Sequence, residues 1–262
     1  MRKLSLEETK KIQIEILNVF KKFCDDNMLR FWLDSGTLLG AVRFKGYIPW
    51  DDDIDTGMFR DDFEKMVHSF NSYSERYKCI SVENDPKIPV SYAKICDTKT
   101  VLNEKGVESA VFIDVLPYDE IPDNSLKRAI MFSYRDVLYT FDILRKENTR
   151  PHGNALRRSL VYAGRAVAGL FPLGFFAGKI ADNAVRCRND GHDTVARMTY
   201  LSGIHCNKSV FETLDKAEFE GKMYPIPGGY DEVLTRLYGD YKTLPPEEKR
   251  VTHHEFEAYI IE

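Results

Sequence analysis

The sequence predicts an α+β fold, with a small mixed sheet flanked by helices and a helical elaboration added to it. Residues 5–25 space apolar side chains at helical intervals, and short apolar runs bounded by turn residues follow in the first half of the chain. From about 124 to 190 these strand signals fade, and periodic apolar residues among Arg and Lys indicate helices. At 262 residues and 43% hydrophobic, the chain is large enough to bury a core.

The first half predicts alternating helices and strands. In order, we expect an amphipathic helix, a short strand, a turn, a short helix, an acidic strand, a second amphipathic helix and three strands. Their expected ranges are 5–25, 30–34, 35–36, 37–42, 51–58, 60–70, 77–82, 90–96 and 111–116.

The second half predicts helices broken at residues 150–153 and at Pro172, where turn-forming residues occur. Residues 223–230 are rich in Pro and Gly and predict ordered loop, followed by a helix over 231–238. We therefore expect a catalytic core, a helical elaboration and a C-terminal segment that packs back on the core. Their ranges are 1–123, 124–200 and 201–262.

Composition excludes several classes of protein. A formal charge of −4 without a basic run gives no sign of a nucleic-acid partner. Five scattered cysteines predict neither a disulfide framework nor a Cys-rich zinc site, and favour a reducing, cytoplasmic location. The N-terminus does not resemble a signal peptide, and Arg165 and Pro172 interrupt the most apolar stretch, which argues against a spanning helix.

Residues 51–55 crowd four carboxylates into five positions, soon after a glycine-containing helix start at 34–40. Crowded like charges are unfavourable unless a cation or water relieves them. If the segment is a strand, Asp51, Asp53 and Asp55 share one face and Asp52 points to the other. The sequence therefore predicts a Mg²⁺ site here.

A helix start followed by an acid-apolar-acid strand is the general nucleotidyltransferase pattern. The helix start holds phosphates and the acids hold divalent metal. That fold also needs a third acid on a neighbouring strand. Asp114 is the candidate, because an acid among buried-strand residues is costly without a partner.

The stretch 31–58, which reads FWLDSGTLLGAVRFKGYIPWDDDIDTGM, resembles the signature of the LicD family, which includes phosphocholine transferases and is similar to the fukutin-type phospho-alditol transferases. Further matches are Lys94 with Asp97 and Thr100, the strand that carries Asp114, and the segment from 239 to 254. The residues between about 124 and 200 have no motif support.

This resemblance implies a nucleotidyltransferase-like core that transfers a phospho-alcohol, such as phosphocholine, from a CDP-linked donor such as CDP-choline to a sugar hydroxyl, with release of CMP. The acceptor would be a cell-surface glycan such as teichoic acid or lipopolysaccharide, either free or lipid-linked. It also implies Mg²⁺ or Mn²⁺, with two ions.

The resemblance and the residue pattern together nominate site residues in four roles. Catalytic residues are Asp53, Asp55 and Asp114, and the metal ligands are these three with Asp51. Donor contacts are Ser35, Gly36, Thr37, Arg43, Lys45 and Lys94. Candidate substrate contacts are Asp52, His253 and His254.

Three other interpretations stay open. The chain could be a true nucleotidyltransferase that moves a nucleoside monophosphate, or a silent scaffold that binds nucleotide. A Ca²⁺ loop starting at Asp51 is disfavoured, because Thr56 and Asp62 stand where an EF-hand loop needs Gly and Glu. The transferred alcohol and the oligomeric state are left open.

The apolar stretch 170–176, with Arg165 and Lys179 near it, has two interpretations. The favoured one is a buried helical hairpin. The other is an interfacial patch that brings the enzyme to the inner face of the membrane, where a lipid-linked glycan precursor is held.

Overall fold

The computed structural model describes residues 1–104, 107–147, 150–199, 201, 204–252 and 256–261. The helices are α1 Leu6–Asp26, α2 Ser35–Phe44, α3 Arg60–Tyr73, α4 Ser125–Lys146, α5 Ala155–Gly169, α6 Phe175–Ala184 and α7 Tyr230–Tyr238. The strands are β1 Arg2–Lys3, β2 Trp32–Leu33, β3 Asp55–Phe59, β4 Tyr77–Ile80, β5 Ala93–Asp97, β6 Thr100–Glu104, β7 Val107–Ser109, β8 Phe112–Ile121, β9 Thr194–Ala196, β10 His205–Asn207, β11 Leu214–Phe219, β12 Lys222–Pro227 and β13 Phe256–Ile260.

The described residues form two compact units. The first unit contains 1–79, 93–118 and 206–262, and the second contains 80–92 and 119–205. These units group the chain differently from the predicted segments, because 80–92 joins the second unit. The division into 1–123, 124–200 and 201–262 stays a prediction.

A mixed sheet organises the first unit, in the order β2-β3-β8-β5-β4. Strands β3 and β8 are parallel, while β2 is antiparallel to β3 and β5 is antiparallel to β8. Helix α1 begins at a capping box formed by Ser5 and Glu8, and it buries Ile16 and Phe20. The predicted α+β class and the first amphipathic helix are confirmed.

A cluster of aromatic side chains packs at the β2 edge of this sheet. The indole of Trp32 lies 5.2 Å from the ring of Tyr118 and 4.9 Å from the ring of Phe211. Gly57 on β3 permits this packing, because a Cβ atom there would lie 2.3 Å from Trp32 Nε1. The cluster anchors β3, which carries one of the predicted acids.

Two predicted boundaries differ from the structure at the acidic segment. Residues 51–54 are irregular and β3 begins only at Asp55, so the strand predicted over 51–58 is wrong at its start. Backbone pairing explains the difference, since the ladder between β3 and β8 begins with Asp55 opposite Asp114. Helix α2 begins at Ser35, because Asp34 is its N-cap, and the turn predicted at 35–36 is wrong.

The prediction of loop over 223–230 is also wrong. Residues 222–227 form β12, which pairs with β11 in a two-stranded antiparallel sheet. Pro225 and Pro227 lie two residues apart on β12, opposite Lys216 and Leu214. A strand with a free edge can accommodate prolines, because N–H groups on that edge have no ladder partner to lose.

The second unit is largely helical, as predicted. Helix α4 ends at Lys146, α5 runs from Ala155 to Gly169 and α6 begins at Phe175, so the breaks predicted at 150–153 and at Pro172 are confirmed. Leu138, Ala168, Phe176 and Ile180 form one of its cores. Among the described residues, no helix is both long enough and apolar enough to cross a bilayer.

The phenylalanines of the apolar stretch 170–176 are packed inside the unit, as expected for the favoured interpretation of a buried helical hairpin. Phe171, Phe175 and Phe176 pack on this core. Leu170 and Leu173, by contrast, are exposed.

Candidate active site

Three carboxylates converge just before β3. Asp51, Asp52 and Asp53 each place a carboxylate oxygen within 4.8 Å of the other two. Exposure alternates through the irregular segment, with Asp52 and Ile54 buried and Asp51, Asp53 and Asp55 half-buried. The accessible acids are therefore those predicted to share a face.

A second pair of acids lies on adjacent strands. Asp55 on β3 and Asp114 on β8 are register neighbours in parallel strands, so their side chains project from the same face of the sheet. Lys94 on β5 is the register partner of Asp114 on its other side, and its Nζ lies 2.9 Å from Asp114 Oδ1. Both members of this ion pair are largely buried, so Lys94 partly neutralises the Asp114 end of the site.

The start of α2 lies directly against the acidic segment. A Cβ atom on Gly36 would lie 2.4 Å from Asp51 Oδ2, so only glycine allows this approach. Ser35 adopts a φ of 48°, a left-handed conformation that is uncommon outside glycine. The carboxylate of Asp51 is favoured here by the positive end of the helix dipole.

Backbone hydrogen bonds fix the helix start to the strand. The Asp55 amide donates to Thr37 Oγ1 at 2.9 Å, and the Asp34 amide donates to the Asp55 carbonyl at 3.0 Å. The Asp114 amide donates to the Ile54 carbonyl at 2.8 Å. The two predicted parts of the site, the phosphate-binding helix start and the acids, are thereby held together.

Electrostatics at this site favour a bound cation. Burial and then the charges of Asp51, Asp114 and Asp52 raise the pKa of Asp53 to about 8. A divalent ion relieves the repulsion between carboxylates that lie close together. Carboxylate oxygens are also the ligands that Mg²⁺ and Mn²⁺ prefer. The residues present therefore fit such an ion.

Three supporting residues were not predicted. Gln13 Nε2 donates to the Asp52 carbonyl at 3.0 Å, and the Tyr47 hydroxyl donates to Gln13 Oε1 at 2.9 Å. The Tyr118 hydroxyl lies 2.9 Å from Asp34 Oδ2, which is fully buried. The only sequence signal was Gln13, a polar residue on the apolar face of α1.

Other predicted residues have partners within the protein. Arg43 donates to the Tyr241 carbonyl at 2.8 Å, and Lys45 Nζ lies 3.5 Å from Glu218 Oε2. Asp97, part of the motif match, is fully buried and receives a bidentate bond from Arg76 at 2.7 and 3.0 Å. Asp97 therefore supports the fold.

The two histidines predicted as substrate contacts, His253 and His254, lie outside the described residues. Their role, and the donor contacts assigned to Arg43, Lys45 and Lys94, stay predictions.

Comparison with known proteins agrees with this geometry. Residues 28–155 match the family model described as LicD/FKTN/FKRP, nucleotidyltransferase domain. That range contains every acid of the site and the start of α2.

Similar proteins cover different parts of the chain. The lipopolysaccharide cholinephosphotransferase LicD of Haemophilus influenzae is 31% identical over 100% of both chains. An uncharacterised protein of Rickettsia prowazekii is 41% identical over 46% of this chain and 47% of its own. The human ribitol 5-phosphate transferase FKRP is 50% identical over 13% of this chain and 7% of its own.

The end-to-end match and the family model bear out the resemblance carried by the acidic motif and the helix start. This chain belongs to the LicD family and is a transferase.

Proposed function

We propose that this enzyme transfers phosphocholine, or a related phospho-alcohol, from a CDP-linked donor to a hydroxyl of a cell-surface glycan, and releases CMP. The observation that carries the proposal is the carboxylate cluster of Asp51, Asp52 and Asp53 placed against the amino end of α2. The end-to-end similarity to a lipopolysaccharide cholinephosphotransferase supports choline as the alcohol and lipopolysaccharide-type glycan as the acceptor.

The helix start suits a phosphate of the donor. The amides of Gly36 and Thr37 lie in the first turn of α2, where a helix offers its N–H groups no internal acceptor. Asp34 already accepts from the Ser35 amide at 2.8 Å. We therefore assign phosphate contact to Gly36 and Thr37, more than to Ser35.

The carboxylates suit one or two divalent ions, held by Asp51, Asp53 and Asp55 with Asp114. Such ions would supply charge neutralisation along the diphosphate bridge. We assign Asp114 the role of a metal ligand, because it is the register neighbour of Asp55 on the adjacent strand.

The proposed reaction is a displacement at the phosphorus that carries the alcohol. The acceptor oxygen forms a new bond to this phosphorus, and the bond from the same phosphorus to the bridging oxygen breaks. The bridging oxygen keeps the electron pair and leaves with CMP. The proton of the acceptor hydroxyl passes to a carboxylate or to water.

We propose the cytoplasm as the setting, at the inner face of the membrane if the acceptor is lipid-linked. The five cysteines are all free, which agrees with a reducing compartment.

The nucleotide product tests the proposal. The purified enzyme is incubated with Mg²⁺ and a glycan acceptor, and with CDP-choline, CDP-ribitol, CDP-glycerol or CTP in parallel. We expect acceptor-dependent release of CMP, greatest with CDP-choline. Release of pyrophosphate from CTP, with no CMP from any CDP ester, would instead identify a nucleotidyltransferase that attacks the α-phosphorus.

The contact between Gly36 and Asp51 gives a further prediction. We expect Gly36→Ala to lower Mg²⁺ affinity and the rate of CMP release about tenfold to a hundredfold, because the new Cβ would lie 2.4 Å from Asp51 Oδ2 and displace it. Isothermal titration with Mg²⁺ and the CMP assay measure the two effects.

Gly169→Ala is the matched control, since apart from its chain neighbours and its own helix backbone no described atom lies within 4 Å of the position of a Cβ on this helical glycine. We expect it to leave both quantities unchanged. Equal behaviour of the two variants would show that the close approach at Gly36 is unimportant.

A further inference from the structure

Helix α5, together with its C-cap residue Leu170, presents a continuous apolar stripe on its outer side. Leu156, Leu160, Val167 and Leu170 are 70%, 64%, 47% and 82% exposed. They follow each other at intervals of four, seven and three residues, with the exposed Ala163 filling the gap, which is the spacing of one helix face. We call these five residues the outer stripe.

The outer stripe is distinct from the side by which α5 packs in its unit. The inner side meets α4, where Ala168 lies in the core with Leu138, and a Cβ on Gly164 would lie 2.8 Å from Leu144. Core formation therefore does not account for the leucines of the stripe. A helix that is apolar on a second, exposed side needs a partner outside its own unit.

Charge around the stripe points to the nature of that partner. Residues 150–179 contain four arginines and one lysine but no aspartate or glutamate, although the whole chain has a formal charge of −4. Two of these cations, Arg165 and Lys179, form ion pairs with Glu147 and Asp182 just outside this range. Arg157 and Arg158 follow Leu156 in the first turn of α5, with Arg157 exposed and Arg158 half-buried. An exposed apolar stripe whose helix carries arginines in its first turn fits a lipid bilayer, which has an apolar interior and anionic headgroups.

Helix α4 of the same unit repeats the pattern. Leu126, Ile130, Tyr134 and Val137 are exposed at intervals of four, four and three residues, and Lys127 lies beside them. Tyr134 on α4 and Tyr162 on α5 are exposed aromatic groups with a polar tip, a residue type enriched at the level of lipid headgroups.

We propose that the outer stripe and the first-turn arginines of α5 bind the surface of an anionic lipid bilayer. The stripe inserts among the headgroups without spanning the membrane, and the arginines contact lipid phosphates. A second copy of this chain fits less well, since a symmetric contact through this face would bring like-charged arginines together. The purpose of this membrane contact rests on the proposed function, because a lipid-linked acceptor glycan would be held at such a surface.

Vesicle flotation tests the proposal without donor or acceptor, so its result does not depend on the proposed reaction. The full chain is mixed with vesicles of phosphatidylcholine alone or with about 30% phosphatidylglycerol, which gives an anionic surface. We expect flotation with the anionic vesicles, weakened by salt. We expect at least a tenfold loss of partitioning in the variant that combines Leu156→Gln, Leu160→Gln and Val167→Gln, because glutamine removes apolar area and retains helix propensity.

Further variants separate the contribution of the apolar side chains to membrane binding from that of the arginines. Arg157→Gln with Arg158→Gln is expected to lower binding about fivefold per charge, with anionic vesicles only. Met223→Gln with Leu244→Gln, exposed apolar residues of the other unit, is the control and is expected to bind as the wild type does. Circular dichroism checks that every variant is folded.

Three results would overturn the proposal. The wild type could fail to float with anionic vesicles, or the triple glutamine variant could float equally well. Light scattering could also show a dimer that the triple variant converts to a monomer, which would identify a second copy as the partner. If CMP is released normally while flotation fails, the proposed membrane contact is wrong and the proposed reaction stands. Flotation without CMP release would contradict the proposed reaction and leave the membrane contact intact.

Discussion

Replacing Asp55 by asparagine is expected to lower the rate of CMP release by about a hundredfold to a thousandfold. Asp55 is the acid that joins the two halves of the site, since it is the register neighbour of Asp114 and follows the 51–53 cluster. The substitution removes a negative charge and keeps the shape of the side chain. The main-chain bonds of Asp55 to Thr37 and Asp34 are unaffected, so the fold should persist.

The rate is measured with CDP-choline and acceptor over a range of Mg²⁺ and Mn²⁺ concentrations. Asp215→Asn, an exposed aspartate on β11, serves as the matched control and should retain full activity. If Asp55→Asn turned over at the wild-type rate, the acids at this sheet edge would not be the catalytic centre. Full rescue by extra metal would place the defect in metal affinity alone.

Without divalent metal, the free energy of unfolding is expected to fall as the pH rises from about 5 to about 8, by about 2–4 kcal/mol for Asp53 alone. The pKa of Asp53 is raised to about 8 by burial and by the neighbouring carboxylates. Between the ordinary aspartate pKa and this value, the folded protein retains a proton that the unfolded chain has lost. Stability from this group is therefore present at low pH and lost as the pH rises toward 8.

Mg²⁺ is expected to counter this loss, and to do so more strongly at high pH, because it competes with the proton for the same oxygens. Urea unfolding at about pH 5 and about pH 8, with EDTA or with Mg²⁺, measures both effects. Other groups also titrate, so the comparison is with Asp53→Asn, whose stability should depend less on pH and on metal. If the free energy of unfolding changed with pH and with Mg²⁺ equally in the wild type and in Asp53→Asn, the proposed crowding of charge at Asp53 would be contradicted.

Local elements were largely predictable from the sequence. The capping box at Ser5 and Glu8 and the spacing of Ile12, Ile16 and Phe20 lie within one helix, so nearby residues determine α1. The breaks between the helices of the second unit follow in the same way from Pro and Gly. The boundary errors at Ser35 and Asp51 arose where an N-cap and a strand partner, rather than periodicity, set the ends.

Strands that depend on distant partners were harder to predict. Strand β13 pairs with β6 across more than 150 residues, and β12 exists because β11 lies beside it in spite of two prolines. Periodicity in a short, Pro-rich segment carries no information about such a partner. The support of the acidic segment by Gln13 and Tyr47 was missed for the same reason.

The sequence by itself determined which chemical groups this protein has for its reaction: a glycine-containing helix start, a run of aspartates and Asp114, in an order typical of the LicD family. The tertiary structure decided which of them meet. It placed Asp51 against Gly36, paired Asp55 with Asp114 and Asp114 with Lys94, and left the leucines of α5 exposed. Side-chain chemistry and local spacing can be read directly from the sequence. The convergence of carboxylates and the exposure of a helix face cannot, because they depend on contacts between residues that are far apart in sequence.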